Sequence, residues 1–172
     1  MERSSPVRDR HFMKNALNIS LRGIGNTWPN PSVGVVVVKN DQIISRGWTQ
    51  PGGRPHAEIV ALKKKNFFGA TLYTTLEPCS HHGKTPPCVD QIIKSKINRV
   101  VIGLKDPNPK INGEGIRKLK KKKIKVTIGV LQKEIKKIHS GFFYKIKKKK
   151  PFIASKIAIS KNGKMINQNK KW

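Results

Sequence analysis

The alternation of apolar and polar residues along the chain predicts a series of short helices and strands. Near the N-terminus, Met13, Leu17, Leu21 and Ile24 return at intervals of three and four residues, which places them on one face of a helix over residues 10–24. An apolar stripe of this kind packs one side of a helix against a core.

A β-hairpin is predicted after this helix. Val33 to Val38 is almost continuously apolar and β-branched, which is typical of a strand covered on both faces. Asn40-Asp41 suits a two-residue turn, so residues 42–48 are expected to return as an antiparallel partner. A loop rich in proline and glycine, residues 50–55, then leads to His56.

The rest of the chain alternates between helical and strand patterns. The predicted helices cover residues 56–65, 87–96 and 115–123, and the predicted strands cover residues 70–76, 99–104 and 124–128. A long amphipathic helix is expected last, because apolar residues recur at helical spacing, at Leu131, Ile135, Ile138, Phe142 and Ile146.

The order of elements, α-β-β-α-β-α-β-α-β-α, predicts an α/β fold. We expect three layers, α-β-α, with a mixed sheet of roughly five strands between the helices. At 172 residues the chain has the size of one domain with a small remainder. Pro151 marks the boundary, so we place the main domain at residues 1–150 and a second segment at residues 151–172, which opens with a strand pattern at residues 152–159.

The net charge of +28 is extreme and unevenly distributed. Residues 117–150 contain 15 lysine or arginine residues and one acidic residue, Glu134, so half of the excess lies there. A nucleic-acid partner would suit this charge. The runs Lys120 to Lys123 and Lys147 to Lys150, however, have neither the arginines nor the interleaved aromatic residues that favour base readout and stacking. We therefore interpret them as a solvated surface and expect no nucleic-acid partner.

The chain has no apolar stretch near the length of about 20 residues that a membrane span needs. The N-terminus, Met1 to Pro6, lacks the apolar run of a secretory signal, so we expect a cytoplasmic protein. In a reducing compartment, the two cysteines favour metal binding or catalysis over a structural disulfide.

The strongest functional signal lies between Arg54 and Cys88. A zinc ion that activates water needs three protein ligands, an open fourth position and a nearby carboxylate. We predict His56, Cys79 and Cys88 as the ligands and Glu58, two residues after the histidine, as the proton carrier.

The order of these residues indicates a deaminase. H-x-E followed by P-C-x-x-C is the pattern of zinc nucleobase deaminases, and His56-Ala57-Glu58 and Pro78-Cys79 match its first parts. Glu58 would take a proton from the attacking water and pass it to the ring nitrogen and the leaving ammonia. The spacing departs from the pattern, because eight residues separate the cysteines. This insertion lies at the mouth of the expected metal pocket, and its Lys84 is a natural partner for a phosphate.

Five segments carry a family resemblance: Pro29 to Gly34, His56 to Glu58, Leu76 to Cys88, Asp106 to Pro109 and Gly113 to Gly115. On these residues the chain resembles the deaminase domain of the bifunctional riboflavin-biosynthesis proteins, over about residues 10–172. The spacer between the cysteines, ending in Thr-Pro-Pro-Cys, separates this family from the deaminases of cytidine, deoxycytidylate and tRNA adenosine.

The resemblance implies a fold like that of cytidine deaminase, with one zinc ion per chain. The implied reaction is hydrolysis of the 2-amino group of 2,5-diamino-6-(5-phosphoribosylamino)pyrimidin-4(3H)-one, giving 5-amino-6-(5-phosphoribosylamino)uracil and ammonia. It assigns Asn30 to the pyrimidine, and His81, Lys84 and Asn108 to the substrate and its ribose phosphate. We expect a homo-oligomer.

The chain departs from the family at two places. Many members have a histidine shortly after the second strand, where this chain has Thr49 and Gln50, either of which could supply the polar contact. Residues 152–172 resemble the opening of the family's reductase domain, with Lys156 and Ser160 at matching positions. So short a segment cannot form a dinucleotide-binding domain. We expect no complete NADP site and no reductase activity from this chain, which would be either a truncated product or the partner of a separate reductase polypeptide.

Two alternatives remain open at this point. The charge would suit a deaminase that acts on an RNA base, for which Trp28 and Trp48 are the candidate stacking residues. The chain could also be an inactive binding protein stabilised by zinc, although an intact Glu58 argues against that.

Overall fold

The fold is built on one mixed sheet of five strands. The structure is a computed structural model and describes residues 5–63, 66–83, 85–108 and 111–165. The strands are β1 (Gly34–Lys39), β2 (Gln42–Trp48), β3 (Thr71–Leu76), β4 (Arg99–Leu104) and β5 (Lys125–Ile128). They lie in the order β2-β1-β3-β4-β5, in which β1 is antiparallel to both neighbours and β3, β4 and β5 are parallel. The prediction of a mixed, five-stranded sheet is confirmed.

Helices cover both faces of this sheet. They are α1 (Pro6–Ser20), α2 (Ala57–Ala61), α3 (Cys88–Lys94), α4 (Glu114–Lys121), α5 (Gln132–Ile138) and α6 (Ser140–Lys148). Gly34 lies directly under α1 and Gly103 under α5, and the strand register places both glycines on the same face. Gly47 lies on the opposite face, under α2, with α3 and then α4 packed beside that helix. The three-layer α-β-α fold is therefore confirmed.

The glycine in β2 lets α2 approach the sheet closely. A Cβ atom at Gly47 would overlap the carbonyl oxygen of Ala57 and lie 2.6 Å from the amide nitrogen of Ala61. Contacts of this kind leave no room for any side chain. Gly47 thus determines how close the first turn of α2 lies to the strands.

A buried polar cluster joins α1 to the sheet at the start of the parallel strands. Asp9 in α1 forms a two-pronged ion pair with Arg99, with nitrogen–oxygen distances of 2.7 and 2.6 Å. Tyr73 donates a hydrogen bond of 3.0 Å to Asp9, and Arg99 also donates to the hydroxyl of Thr127 at 2.8 Å. We call these four residues the Asp9 cluster.

Helix α1 begins earlier than the apolar periodicity predicts, at Pro6 instead of residue 10. The Ser5 hydroxyl accepts a hydrogen bond from the amide of Arg8, and Pro6 occupies the first helical position. A serine cap and a proline in the first position both favour the start of a helix. Neither contributes to the apolar stripe, so the periodicity did not reveal this start. Helix α2 ends at Ala61, short of the predicted residue 65; residues 64 and 65 lie outside the described residues.

The single long helix predicted from Leu131 to Ile146 is wrong in one respect, because it is divided into α5 and α6. The break falls at His139, immediately before Ser140 and Gly141, two residues with weak helix propensity. The predicted strand at 152–159 is also absent, since residues 151–160 have no regular secondary structure. A strand needs a hydrogen-bonding neighbour, and Ile153, for example, is 84% exposed.

The two lysine runs, residues 120–123 and 147–150, are fully on the surface, as a solvated face requires. No helix in the described part of the chain is long and apolar enough to cross a membrane.

Candidate metal centre and active site

Three element ends bring the predicted zinc ligands together. His56 is the residue that precedes α2, Cys88 is the first residue of α3, and Cys79 follows the end of β3 by three residues. The Nδ1 atom of His56 lies 3.3 Å from the sulfur of Cys88 and 3.6 Å from the sulfur of Cys79. All three donor atoms lie within 4.8 Å of one another. We call these residues the His/Cys/Cys cluster.

The spacing of the donors fits zinc. With zinc–sulfur and zinc–nitrogen bonds of ordinary length at tetrahedral angles, a nitrogen and a sulfur ligand lie roughly 3.5 Å apart. The two distances from His56 to the sulfurs agree with that value. One nitrogen and two sulfurs also form a donor set typical of zinc, with a fourth position left for water.

Hydrogen bonds among the donors prepare them for a cation. Cys88 donates to Cys79, through its thiol and its backbone amide, and this lowers the pKa of Cys79 to about 4. The same thiol bond, together with burial, raises the pKa of Cys88 well above its usual range. The hydrogen bond with Cys79 raises the pKa of His56. A bound metal would displace the protons that these donors hold.

Glu58 lies in the first turn of α2, two residues after His56, and only 4% of it is exposed. It is not one of the three clustered donors. Burial raises the pKa of Glu58 to about 7, and the negative charge of Cys79 acts in the same direction. A buried carboxyl group with such a pKa can both accept and release a proton near neutral pH.

His56, Glu58 and Cys79 line a cavity of about 220 Å³. Three of the four predicted substrate residues, Asn30, His81 and Asn108, line the same cavity as His56 and Glu58. The fourth, Lys84, lies outside the described residues.

Asn30 is fixed from two sides. Its amide nitrogen donates to the carbonyl oxygen of Gly53 at 2.9 Å and lies 3.4 Å from Nε2 of His56. Of the two residues considered in place of the family histidine, Thr49 lines the cavity. Its hydroxyl accepts from the amide of Val33, whereas the side chain of Gln50 donates to the carbonyl of Trp48.

The cavity has further lining residues to which the sequence assigned no role. Arg54 and Asp106 are polar, and Phe142 and Ile146 supply an apolar wall from α6. Asp106 accepts a hydrogen bond from the amide of Asn108, and burial raises its pKa to about 6. Asp106 stands beside Asn108 in the family motif, which was a usable signal. No sequence signal indicated that α6 would line the cavity, because this contact depends on tertiary packing.

Comparisons with known proteins agree with this geometry. The sequence profile described as "Cytidine and deoxycytidylate deaminase zinc-binding region" matches residues 6–104. That zinc-binding region and the His/Cys/Cys cluster together indicate zinc as the metal.

Two relatives define the branch. The chain is 51% identical over 143 residues to the diaminohydroxyphosphoribosylamino-pyrimidine deaminase of Buchnera aphidicola subsp. Acyrthosiphon pisum, covering 82% of this chain and 97% of that protein. It is 44% identical to the riboflavin biosynthesis protein RibD of Aquifex aeolicus, over 95% of this chain and 47% of that protein.

A crystal structure gives the same result. The deaminase/5-amino-6-(5-phosphoribosylamino)uracil reductase of Thermotoga maritima superposes with a TM-score of 0.89 at 44% identity, over 96% of this chain and 48% of that one. The chain thus spans about half the length of these two longer relatives but nearly all of the shorter deaminase. It belongs to the zinc-binding family of cytidine and deoxycytidylate deaminases, in the branch of the diaminohydroxyphosphoribosylamino-pyrimidine deaminases.

Proposed function

We propose that this chain catalyses the hydrolytic deamination of 2,5-diamino-6-(5-phosphoribosylamino)pyrimidin-4(3H)-one in riboflavin biosynthesis. The observation that carries the proposal is the His/Cys/Cys cluster, two of whose members line one cavity with the buried Glu58. The alignment over 97% of the length of a deaminase of this name supports it. The products are 5-amino-6-(5-phosphoribosylamino)uracil and ammonia.

We assign one zinc ion per chain to His56, Cys79 and Cys88, since the described residues form one such cluster. When bound, zinc would act as a Lewis acid that lowers the pKa of a bound water, so that a nucleophile is available at neutral pH. Cys79 and Cys88 would hold the ion as thiolates and His56 as a neutral imidazole, which would leave a fourth position for water.

Glu58 moves the protons of the reaction. It takes one proton from the attacking water and delivers it to the pyrimidine ring nitrogen, as the water oxygen bonds to the carbon that bears the amino group. It then relays the second proton of that water to the amino group. The carbon–nitrogen bond breaks, ammonia leaves, and the new oxygen remains as the carbonyl of the uracil ring.

The remaining assignments concern substrate binding. Asn30 contacts the pyrimidine from its place beside His56, while His81 and Asn108 line the side of the cavity where the ribose phosphate enters. Lys84 is proposed as a phosphate contact on its sequence position alone.

The organisation of the protein is also a proposal. Residues 1–150 form the deaminase domain, and residues 151–172 correspond to the start of the reductase domain in the longer relatives. We propose a homo-oligomer, and a separate reductase chain as a further partner. Two metal-binding thiols suit a reducing compartment, which supports a cytoplasmic location.

Ammonia release from the proposed substrate by the zinc-loaded chain tests the function. We expect Glu58→Gln to keep its zinc and to lower kcat by about 10²- to 10⁴-fold, the usual contribution of a general acid–base group. The matched control is Glu134→Gln, an exposed site on α5 away from the cavity, which should retain wild-type kcat.

Two outcomes would contradict the proposal. A wild-type chain with one zinc and no turnover of any deaminase substrate would indicate a binding protein. Turnover of cytidine or of a single-stranded RNA, in place of the diaminopyrimidine, would indicate the alternative base deaminase.

A further inference from the structure

Glu77 is a buried carboxylate that contacts the protein backbone in three places. It directly follows β3, and only 3% of it is exposed. One carboxylate oxygen accepts hydrogen bonds from the amides of Gly113 at 3.0 Å and Asp106 at 3.3 Å. The other accepts from the amide of Ile116 at 3.4 Å. Within the described residues, no basic side chain lies at ion-pair distance from Glu77.

The three amides belong to two segments distant in sequence. Gly113 and Ile116 lie at the start of α4, where backbone amides have no partner within the helix and the helix dipole favours a negative charge. Asp106 lies in the loop that follows β4, two residues after the strand ends. Since a buried charge must be compensated by hydrogen bonds, the positions of both segments are tied to Glu77.

Helix α4 also touches the residues around Cys79 at two further points. A Cβ atom at Gly115 would overlap the carbonyl oxygen of Pro78, so the helix backbone lies directly against the residue before the ligand. Lys118 donates a hydrogen bond of 2.7 Å to the carbonyl oxygen of Ser80, the residue after the ligand. The start of α4 is thus held to both sides of Cys79.

The loop on the other side of Glu77 forms a wall of the cavity. Asp106 and Asn108 both line it, and the amide of Asn108 donates to Asp106 at 2.8 Å. Through its backbone bonds, Glu77 therefore connects a metal ligand with a wall that faces the metal centre.

We propose that Glu77 is a positioning residue that holds the Asp106–Asn108 wall in register with Cys79. Glu77 also lines the cavity, but both of its carboxylate oxygens accept hydrogen bonds from backbone amides, so its effect on the substrate is exerted through that wall. The inference rests on the proposed function for its effect on activity. Two of the three metal ligands, His56 and Cys88, lie at the starts of α2 and α3, so loss of Glu77 affects substrate binding more than metal binding.

The variant Glu77→Gln tests this role, because it keeps the side-chain size and places a donating NH₂ group against a backbone N–H. We expect KM to rise about tenfold or more, as the loss of one hydrogen bond to a charged group implies. Zinc content and kcat should stay close to those of the wild type. The control is Glu114→Gln. It removes an acidic group from the turn of α4 that Glu77 contacts, but it breaks only the ion pair between Glu114 and Arg117. We expect its KM to be unchanged.

A second variant keeps the inference testable if Glu77→Gln does not fold. Lys118→Met removes the bond to Ser80 and should raise KM in the same direction, by a smaller factor. A fall in kcat with KM unchanged in Glu77→Gln would indicate direct participation in the chemistry and overturn the positioning role. Wild-type values of both kcat and KM in Glu77→Gln would also overturn the positioning role.

A measurement without substrate separates this inference from the proposed function. Amide hydrogen exchange should accelerate in Glu77→Gln at residues 105–108 and 111–117, while β1 and β2 keep wild-type protection. Unchanged exchange at those residues would overturn the inference, whatever the activity. A wild-type chain that lacks deaminase activity, but whose exchange responds as described, would reject only the proposed function.

Discussion

Two buried polar clusters lie at opposite ends of the parallel strands, and they are built in different ways. In the Asp9 cluster, the carboxylate of Asp9 meets the guanidinium of Arg99 at two points and also accepts from Tyr73. In the His/Cys/Cys cluster, the closest contacts join donors that all favour a cation. In the Asp9 cluster the negative and positive charges are paired within the protein. In the His/Cys/Cys cluster three donor atoms lie within 4.8 Å of one another, an arrangement that a bound cation would complete.

The difference shows how structural and functional polar groups can be told apart. A buried ion pair with all hydrogen bonds made contributes to the specific position of α1, although its net stabilisation is modest. Three metal-type donors beside a buried carboxylate gain stability only when a cation arrives. Both clusters combine buried with half-buried residues, so the internal balance of charge is the informative property.

The largest effect is expected from loss of one metal donor. Cys88→Ser replaces a thiolate ligand with a weak one, so bound zinc should fall well below one per chain, as measured by elemental analysis of the purified protein. Asp9→Asn, at the other end of the sheet, is the control and should retain its zinc. Unchanged metal content in Cys88→Ser would remove Cys88 from the ligand set.

The next effect is on stability alone. Asp9→Asn leaves the guanidinium of Arg99 buried with no charged partner in its cluster, and we expect the free energy of unfolding to fall by about 3–5 kcal/mol. Denaturant titration of the zinc-loaded protein measures it. The matched control, Glu134→Gln, breaks the exposed pair between Glu134 and Arg10, whose side chains are 44% and 66% exposed. It should cost less than about 1 kcal/mol.

A double variant sharpens the same point. Asp9→Leu with Arg99→Met removes both charges, so it should cost less than Asp9→Asn alone. If the single and double variants are equally destabilised, the uncompensated charge of Arg99 is not the main cause of the lost free energy of unfolding.

The smallest effect concerns His139, which belongs to neither cluster. The ring is buried, its Nε2 has no hydrogen-bond partner among the described residues, and burial lowers its pKa to about 4. The unfolded chain therefore binds the extra proton between about pH 6.5 and 4, and stability falls as the pH drops through that window. From pH 7 to pH 5 this one residue should account for about 2 kcal/mol of lost stability.

Comparison of unfolding free energies at pH 7 and pH 5 measures this contribution. His139→Leu should lose about 2 kcal/mol less than the wild type between the two values. Equal losses would mean that His139 is not the group that titrates.

The parts of the fold that follow from local pattern were predictable. Val33 to Val38 is buried almost throughout, as its continuous apolar character indicates. The break at His139 was not predictable from periodicity, because the apolar stripe continues in phase across it. The segment 152–159 has strand composition but no neighbouring strand within the described residues, and composition does not supply one.

The candidate site shows the same limit. His56, Glu58, Cys79 and Cys88 stand in a short motif, so their order and spacing suffice to group them. Asp9 and Arg99 are 90 residues apart, and Glu77 meets the start of α4 at Gly113, 36 residues further along the chain. No local pattern brings such residues together, since their contacts depend on how the finished elements pack.

Gly47 has a consequence for experiments that map a site by mutation. It does not line the cavity, yet a methyl group there would push α2 away from the sheet, and His56 and Glu58 with it. In a saturation screen scored by turnover, position 47 would rank with the metal ligands. An outline of the active site drawn from such data would extend to the far side of α2, into a region that no substrate reaches.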